Sequence, residues 1–552
     1  MRKVTIRFIL LFVFALLSVI SVSAQTYEEY LHAERERYTE YVDKHDSEFK
    51  AFRDKVNAAY AEQMGKAWES VNAAEPIIPE LIPEPIDPIV AAPDATVTSD
   101  PLMVDKIVIP STVQAPAPPK PMVERPVKSP EAVTIPEARV AVESPIIDHL
   151  KPQEYDPAQV PSVEMNFESI TDAAPSKIEV AAQASQTDCQ PVNSGFEFAY
   201  YGTKCYITID ESHRFSLSKV SESAVANSWK TLSEDRYTQI ILDALDWRDY
   251  LQLSDWGYVR FVEAFAQSFF GASGLNEARV MQMFILVQSG YEARIARADS
   301  NLVLLLPFSA DVYSYVYLEI EGEKYYVMDR NIQGGSLAIF NHKFPNEQRL
   351  SLSQVAAPKL DIVLTPKRRL SSNRYDSLSV EVSTNENLIK FYNDVPHNSS
   401  WSGYSRASLS SEVKGDLYPT FTEQLAGKSQ SEAANMLLNF VQTAFEYKTD
   451  GEQFGVERPL FGDESIYYPY SDCEDRSILY SILVRDLLGL EVVLLDYPEH
   501  IATAVHFEQQ VEGDYLMIDG KKFLVCDPTY IGAQIGLTMP QYKSVSATVI
   551  AL

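Results

Sequence analysis

Residues 469–505, PYSDCEDRSILYSILVRDLLGLEVVLLDYPEHIATAV, combine one helix pattern with two strand patterns. Apolar residues occupy positions 478, 479, 482, 483, 487 and 488. This spacing predicts a helix over residues 474–488, with Gly489 as its C-terminal stop. The two apolar runs that follow predict strands beside the helix. Cys473 then lies at the helix start, where the helix dipole and free backbone N–H groups favour a thiolate.

A cysteine nucleophile needs a base, and the second strand, EHIATAVHF, offers two histidines. His500 and His506 have the same parity along this strand, so alternation does not choose between them. Asp527, in VCDPTY, is the candidate that orients the base. Cys473 could instead be a packed core residue or half of a disulfide. A bridge to Cys526 is awkward, because Cys526 and Asp527 are neighbours that point to opposite faces of one strand.

The motifs DCEDRS, HIATAV and DPT together resemble the transglutaminase-like superfamily, which contains protein cross-linking enzymes, peptide N-glycanases and bacterial cysteine peptidases. The resemblance covers about residues 431–535 and implies an α+β, transglutaminase-like (papain-like) fold without a cofactor. It implies Cys473 as nucleophile, His500 as general base and Asp527 as its orienting acid. His500 is preferred because the family's histidine begins its strand. Asp472 departs from the family's pattern and places a negative charge beside the thiolate.

Other catalytic or binding groups are sparse around the cysteine. Tyr468 and Tyr470 are candidates to line an acyl groove or to donate a hydrogen bond to an oxyanion. Simple packing, or an exposed loop, is an equal alternative for both tyrosines. The eight histidines of the chain show no ligand-like spacing, so no metal site is expected.

An internal repeat is visible at an offset of 198 residues. YLEIEGEKYYVMDRN (317–331) lies over YLMIDGKKFLVCDPT (515–529), with seven of 15 positions identical. Upstream, Asn276 falls where Cys473 stands, Leu302 faces His500, and the aspartate is kept as Asp329. The repeat predicts a duplicated domain whose first copy has lost the cysteine and the histidine. Such a copy would be structural or substrate-binding.

The chain of 552 residues carries a net charge of −30, which argues against nucleic acid as a partner. A protein or peptide substrate is expected instead. Arg2, Lys3 and Arg7 precede an apolar run at residues 9–22, which is the pattern of a signal peptide. Cleavage after Ala24 would give an exported, periplasmic or secreted protein without an integral membrane span. An uncleaved anchor is the alternative.

Export permits disulfide bonds. Cys189 and Cys205 bracket a turn-rich stretch and are the natural pair. Cys473 and Cys526 are then left as free thiols or as a second pair.

Composition divides the chain into six segments. Most of the 32 prolines fall between residues 76 and 161, where no glycine occurs, so a stiff and largely disordered spacer is predicted. Parts of it could lie against a folded surface, and the helix before it either docks a partner or is exposed. The segments are a signal peptide (1–24), an amphipathic helical segment (25–75), the Pro-rich spacer (76–188), a degenerate transglutaminase-like domain (189–340), a β-rich connecting segment (341–430) and a transglutaminase-like catalytic domain (431–552).

The function predicted from these features is cysteine acyl transfer at amide or peptide carbonyls, through a thioester on Cys473. Hydrolysis is favoured over cross-linking, because water always competes and no amine site is recognisable. The alternative is a catalytically inactive protein that keeps the fold for binding or scaffolding.

Overall fold

The computed structural model describes residues 37, 40, 44–79, 87–109, 118–123, 191–398 and 400–552. The fold is α+β, as predicted, with 36% helix and 23% strand. The chain divides into two compact units, one of residues 1–60 with 123–182 and the other of residues 61–122 with 183–552. The described part of the first unit is mainly helix, within α1 (44–64).

Helices and strands of the second unit form two similar blocks joined by a connecting segment. The helices are α2 (Glu222–Leu232), α3 (Thr238–Tyr250), α4 (Asp255–Phe270), α5 (Leu275–Gln288), α6 (Glu386–Asn393), α7 (Trp401–Arg406), α8 (Ser411–Leu425), α9 (Gln430–Thr443), α10 (Asp450–Gln453), α11 (Gly462–Tyr467) and α12 (Cys473–Leu488). The strands are β1 (Glu69–Asn72), β2 (Val104–Val108), β3 (Phe196–Tyr200), β4 (Thr203–Ile207), β5 (Arg294–Ala298), β6 (Asn301–Pro307), β7 (Tyr317–Ile320), β8 (Glu323–Val327), β9 (Ser336–Phe340), β10 (Arg368–Ser371), β11 (Ser379–Val382), β12 (Glu446–Tyr447), β13 (Tyr470–Ser471), β14 (Glu491–Tyr497), β15 (His500–His506), β16 (Tyr515–Ile518), β17 (Lys521–Cys526) and β18 (Ala547–Ala551).

Two six-stranded sheets have the same strand order. The first sheet runs β1-β9-β5-β6-β8-β7, and the second runs β2-β18-β14-β15-β17-β16. The helix that precedes each sheet, α5 or α12, packs against its two central strands. The shared order supports the duplication that the sequence predicted.

The hairpin of each copy turns on an acidic residue followed by a glycine. Glu321 and Gly322 have φ of 53° and 83°, and Asp519 and Gly520 have φ of 48° and 80°. Two consecutive residues with positive φ form the turn that matches the twist of paired strands. Glycine adopts this conformation without a Cβ penalty, which explains why both copies keep it.

The segment before the two blocks gives an edge strand to each sheet. β1 pairs antiparallel with β9, and β2 pairs parallel with β18. The prediction of helix over residues 25–75 is therefore wrong for Glu69–Asn72, where pairing with β9 outweighs local preference. Residues 87–109, called the strap from here on, lie on the second sheet although they fall in the predicted spacer. Residues 80–86, 110–117 and 124–188 of that spacer lie outside the described residues.

The connecting segment 341–430 contains more helix than strand, so its prediction as β-rich is wrong. It holds α6, α7 and α8, whereas β10 and β11 form a single two-stranded sheet. The alternating stretch LDIVLTP forms no strand of a sheet, and one isolated antiparallel β-bridge joins its Leu364 to Asn385. Alternation produces a strand only where a neighbouring strand pairs with it. Asn385 instead caps the N-terminus of α6, because its side chain accepts the backbone N–H of Asn387.

Helix α12 agrees with its prediction at both ends. It begins at Cys473 and ends before Gly489, which has φ of 66° and caps the helix in the left-handed conformation. The helix is buried from Cys473 to Val484, so its packing, more than its own helical preference, stabilises it.

Cys205 forms no disulfide, so the predicted Cys189–Cys205 bridge is not present. The Cys205 thiol is completely buried in β4 and donates to the carbonyl oxygen of Thr203 at 3.7 Å. This enclosure raises the pKa of the thiol and keeps it unreactive. Cys189 itself lies outside the described residues, as does the predicted signal peptide. Within the described ranges, every helix is too short or too polar to cross a membrane.

Candidate active site

Cys473 is the first residue of α12 and is completely buried. The backbone N–H of Ile501 donates to its Sγ at 3.2 Å, and the thiol donates to Glu474 Oε2 at 3.4 Å. One turn along the helix, Ser477 donates its hydroxyl to the carbonyl oxygen of Ile501 at 3.0 Å. These contacts hold the start of α12 against the start of β15.

His500 opens β15 and pairs with Asp527. Its Nε2 lies 2.9 Å from Asp527 Oδ2, and both side chains are buried. Asp527 directly follows β17, the neighbour of β15 in the sheet. Its Oδ1 accepts the backbone N–H groups of Thr529 at 2.9 Å and Tyr530 at 3.1 Å, so the turn itself fixes the carboxylate. Ile501, whose backbone N–H contacts the sulfur, directly follows His500, so the His500–Asp527 pair lies one residue along β15 from the contact with Cys473.

His506 lies at the opposite end of β15. Its Nδ1 is 3.0 Å from the carbonyl oxygen of Lys522, and its ring packs on Phe523 at 5.5 Å. A strand rises about 3.3 Å per residue, so the two histidines are about 20 Å apart. The geometry therefore favours His500 over His506 as the partner of Cys473, a choice that parity could not make.

Cys526 contacts Tyr480 of α12 and forms no disulfide with Cys473. Its thiol is completely buried and donates to the carbonyl oxygen of Leu524 at 3.5 Å. Burial raises the pKa of this thiol to about 12. Cys526 is therefore an inert core residue, and Cys473 is not held in a bridge.

Two tyrosine rings stack at the histidine, and sequence reasoning missed both. The His500 ring centroid lies 5.1 Å from that of Tyr542 and 6.4 Å from that of Tyr497, with nearly parallel planes. Burial raises the pKa of Tyr497, so its hydroxyl stays protonated. The stack limits rotation of the imidazole and keeps its Nε2 directed at Asp527. The sequence did offer a signal for Tyr497, because this residue and His500 flank the short turn between β14 and β15.

Buried acids surround the start of α12. Asp450, Asp472 and Glu474 place carboxylate oxygens within 4.8 Å of one another. Asp472 Oδ2 accepts the backbone N–H of Asp450 at 2.9 Å. Burial raises the pKa of Asp475, in the same helical turn, to about 7. Carboxylate oxygens at this separation are of the type that binds hard cations, which histidine spacing could not reveal.

Arg476 is a buried cation at the start of α12. Its Nε donates to Ser471 Oγ at 3.1 Å, and its two terminal nitrogens donate to the carbonyl oxygens of Gln442 at 3.3 Å and Phe445 at 3.1 Å. Burial lowers the pKa of the guanidinium to about 10, so it keeps its charge at neutral pH. Arg476 therefore joins the end of α9 to β13 and offsets part of the negative charge.

The two tyrosines predicted for the oxyanion have other contacts. The Tyr468 hydroxyl donates to Asn393 Oδ1 on α6 at 2.9 Å, and its ring packs on Phe454. Tyr470 carries Lys448 Nζ at 5.0 Å from its ring centroid. None of these contacts involves Cys473, so an oxyanion role for either tyrosine stays a prediction.

The first copy makes the equivalent contact without a thiol. Asn276 Oδ1, in the first turn of α5, accepts the backbone N–H of Leu302 at 2.7 Å. In the second copy, Cys473 Sγ accepts the N–H of Ile501 in the same way. An amide therefore replaces the thiol at the junction between helix and strand.

This contact corrects the alignment of the two copies by one residue. Asn301, the first residue of β6, is the structural counterpart of His500, and Leu302 is not. Asp329 accepts the N–H of Asn331 within its own turn at 2.9 Å, as Asp527 does in the second copy. The first copy thus keeps the aspartate turn but has neither nucleophile nor base at these positions.

Three comparisons with known proteins found no match for the chain: no family model, no curated protein and no solved structure. The functional conclusion therefore depends on the geometry of the site itself.

Proposed function

We propose that the chain is an exported cysteine acyl-transfer enzyme of the transglutaminase-like type, with Cys473 as nucleophile, His500 as base and Asp527 as orienting acid. One observation carries this proposal. The Ile501 N–H contacts the Cys473 sulfur directly beside a buried His500–Asp527 pair at 2.9 Å. In catalytic triads the third residue fixes the tautomer and the orientation of the imidazole. With Nε2 on Asp527, the His500 Nδ1 is the nitrogen left to accept the thiol proton.

In the proposed reaction, Cys473 gives its proton to His500 and its sulfur attacks the carbonyl carbon of an amide. Backbone N–H groups at the start of α12 stabilise the resulting oxyanion. The C–N bond then breaks as His500 returns the proton to the departing nitrogen, which leaves a thioester on Cys473. Water attacks the thioester with His500 as base, and the acid product and the thiol are released. An amine in place of water would give transfer, and hydrolysis is favoured because water always competes.

Both signs of charge lie near the sulfur, since Arg476 interacts with it as well as the carboxylates. The Cys473 thiol donates to Glu474 Oε2, and Asp472 is buried immediately before it. Nearby carboxylates disfavour a thiolate. In the proposed reaction, attack follows transfer of the Cys473 proton to His500.

Acylation by p-nitrophenyl acetate, located by peptide mass spectrometry, tests the proposal. We expect an acetyl group on Cys473 of the wild type, formed slowly because the thiol is completely buried, and none there in Cys473→Ala. His500→Gln should acetylate at least about 100-fold more slowly, because it lacks the base. Cys526→Ala is the matched control, since it removes a buried thiol outside the site. Equal acetylation of Cys473 in wild type and His500→Gln would contradict the role of the base.

A second candidate is a binding or scaffolding protein that keeps the fold without catalysis. The complete burial of Cys473 among carboxylates favours it. A Cys473 that reacts readily with iodoacetamide but never forms a thioester would support this candidate over the enzyme.

A further inference from the structure

The first residues of the strap lie in front of His500. A cavity of about 10 Å³ at His500 is lined by Asp87 and Ile89 of the strap together with residues of the second block, among them Tyr447 and Tyr542. A space of this size holds about one water molecule. An acyl donor is much larger than this space, so it reaches His500 only when the strap has moved.

Backbone hydrogen bonds hold this part of the strap in place. The N–H of Ala91 donates to the carbonyl oxygen of Ile531 at 2.8 Å, and the N–H of Ile531 donates to that of Ile89 at 2.9 Å. Ile531 follows Asp527 by four residues, so the pairing lies on the loop that carries the triad aspartate. Pro88 favours an extended backbone at this point, which suits strand-like pairing.

The side chains of the strap alternate between the protein and solvent. Ile89 and Ala91 pack against the core of the second sheet. Val90, between them, is 66% exposed. This alternation is that of an extended peptide bound along a groove through its backbone and every second side chain.

The rest of the strap is anchored independently of these residues. Tyr515 exchanges backbone hydrogen bonds with Asp100 at 3.0 Å and Leu102 at 2.8 Å. Further along, β2 pairs with β18 at the sheet edge. Residues 87–91 can therefore leave the groove while the strap stays attached.

We propose that residues 87–91 are an internal inhibitor that occupies the substrate groove at His500, and that the site opens when they leave Ile531. The inference rests on the proposed function for the chemistry of the groove. Two properties of that site follow. The site is closed in the intact chain, and it receives an extended peptide that pairs with Ile531.

The first test compares two adjacent aspartate substitutions. Ile89→Asp places a charge against the sheet core and should release the strap, whereas Val90→Asp changes an exposed position. The measurement is the rate at which iodoacetamide alkylates Cys473 in the full chain, followed by peptide mass spectrometry. We expect roughly a tenfold increase or more for Ile89→Asp and a rate within about twofold of wild type for Val90→Asp.

The second test removes a backbone donor. Ala91→Pro deletes the N–H that bonds Ile531, and Ala92→Pro is the matched control one residue on. Ala91→Pro should also accelerate alkylation of Cys473 about tenfold, and Ala92→Pro should not. Cys526, which is equally buried but remote from the groove, serves as the internal reference in both tests.

The outcomes separate the proposal from its alternatives. Faster labelling of Cys473 in Ile89→Asp and Ala91→Pro, at constant labelling of Cys526, supports it. Wild-type labelling of Cys473 in both variants overturns it. Parallel acceleration at Cys526 also overturns it, because the strap would then be a structural brace. Alkylation reports access alone, so an open site that p-nitrophenyl acetate does not acylate would refute the proposed function and leave the inhibitor intact.

Discussion

Replacing Asp475 by asparagine should change how the stability of the protein depends on pH. Asp475 lies in the first turn of α12, is 1% exposed, and accepts the backbone N–H of Leu460 at 2.8 Å. Burial raises the pKa of its carboxyl from 3.8 to about 7. Between these values the unfolded chain releases the proton and the folded chain retains it, so the free energy of unfolding falls as pH rises.

The size of this effect follows from the two pKa values. Each unit of difference corresponds to about 1.4 kcal/mol, so the wild type should lose about 3 kcal/mol of stability from this carboxyl between about pH 4.5 and pH 7. Asparagine keeps the acceptor for Leu460 but does not ionise. Asp475→Asn should therefore resemble the wild type at the acidic end and be more stable by up to about 3 kcal/mol at neutral pH.

Urea unfolding at a series of pH values, followed by circular dichroism, measures the difference between wild type and variant. Asp519→Asn, in the exposed turn between β16 and β17, is the control for a carboxyl that is not buried. A difference curve for Asp475→Asn that stays flat from about pH 4.5 to pH 7 would mean that the carboxyl is ionised in the folded state, and the reasoning would fail.

Three other predictions follow from the site and the turns. Cys473→Ala should abolish thioester formation while costing only about 1 kcal/mol of stability, measured by urea unfolding; a much larger loss would indicate a structural cysteine. His500→Gln should slow acetylation of Cys473 by p-nitrophenyl acetate at least about 100-fold and His506→Gln less than about twofold, and the reverse order would exchange their roles. Gly520→Ala, at φ of 80°, should lose about 1 kcal/mol, whereas Gly415→Ala inside α8 should gain a few tenths or more; equal effects would refute the requirement for a positive φ.

The part of the site that was predictable from sequence consists of local signals. Helical spacing and Gly489 locate α12, so the place of Cys473 follows from short-range rules. Asp527 could be proposed because it begins a turn after a strand. The choice between His500 and His506 was not available from periodicity, since it depends on which end of β15 meets α12.

What was not predictable depends on contacts between distant segments. The tyrosine stack at His500 joins Tyr497 to Tyr542, which lie in different parts of the block. The edge strands β1 and β2 form only because β9 and β18 present free edges. No local sequence pattern indicates such an edge. The strand predicted for LDIVLTP, before α6, was wrong for the opposite reason. This stretch has the pattern of a strand, but a single β-bridge joins it to a neighbouring segment.

The pairing of β2 with β18 has a consequence for how the protein is made. During synthesis β2 is made before β18, and the two paired strands are separated by about 440 residues. A polypeptide interrupted before residue 547 would lack β18 and leave β14 as an open edge, which is a template for aggregation. β18 therefore completes the sheet between β14 and β2 and holds β2, which was translated well before it. A product truncated before β18 therefore exposes a strand edge that β18 covers in the folded protein.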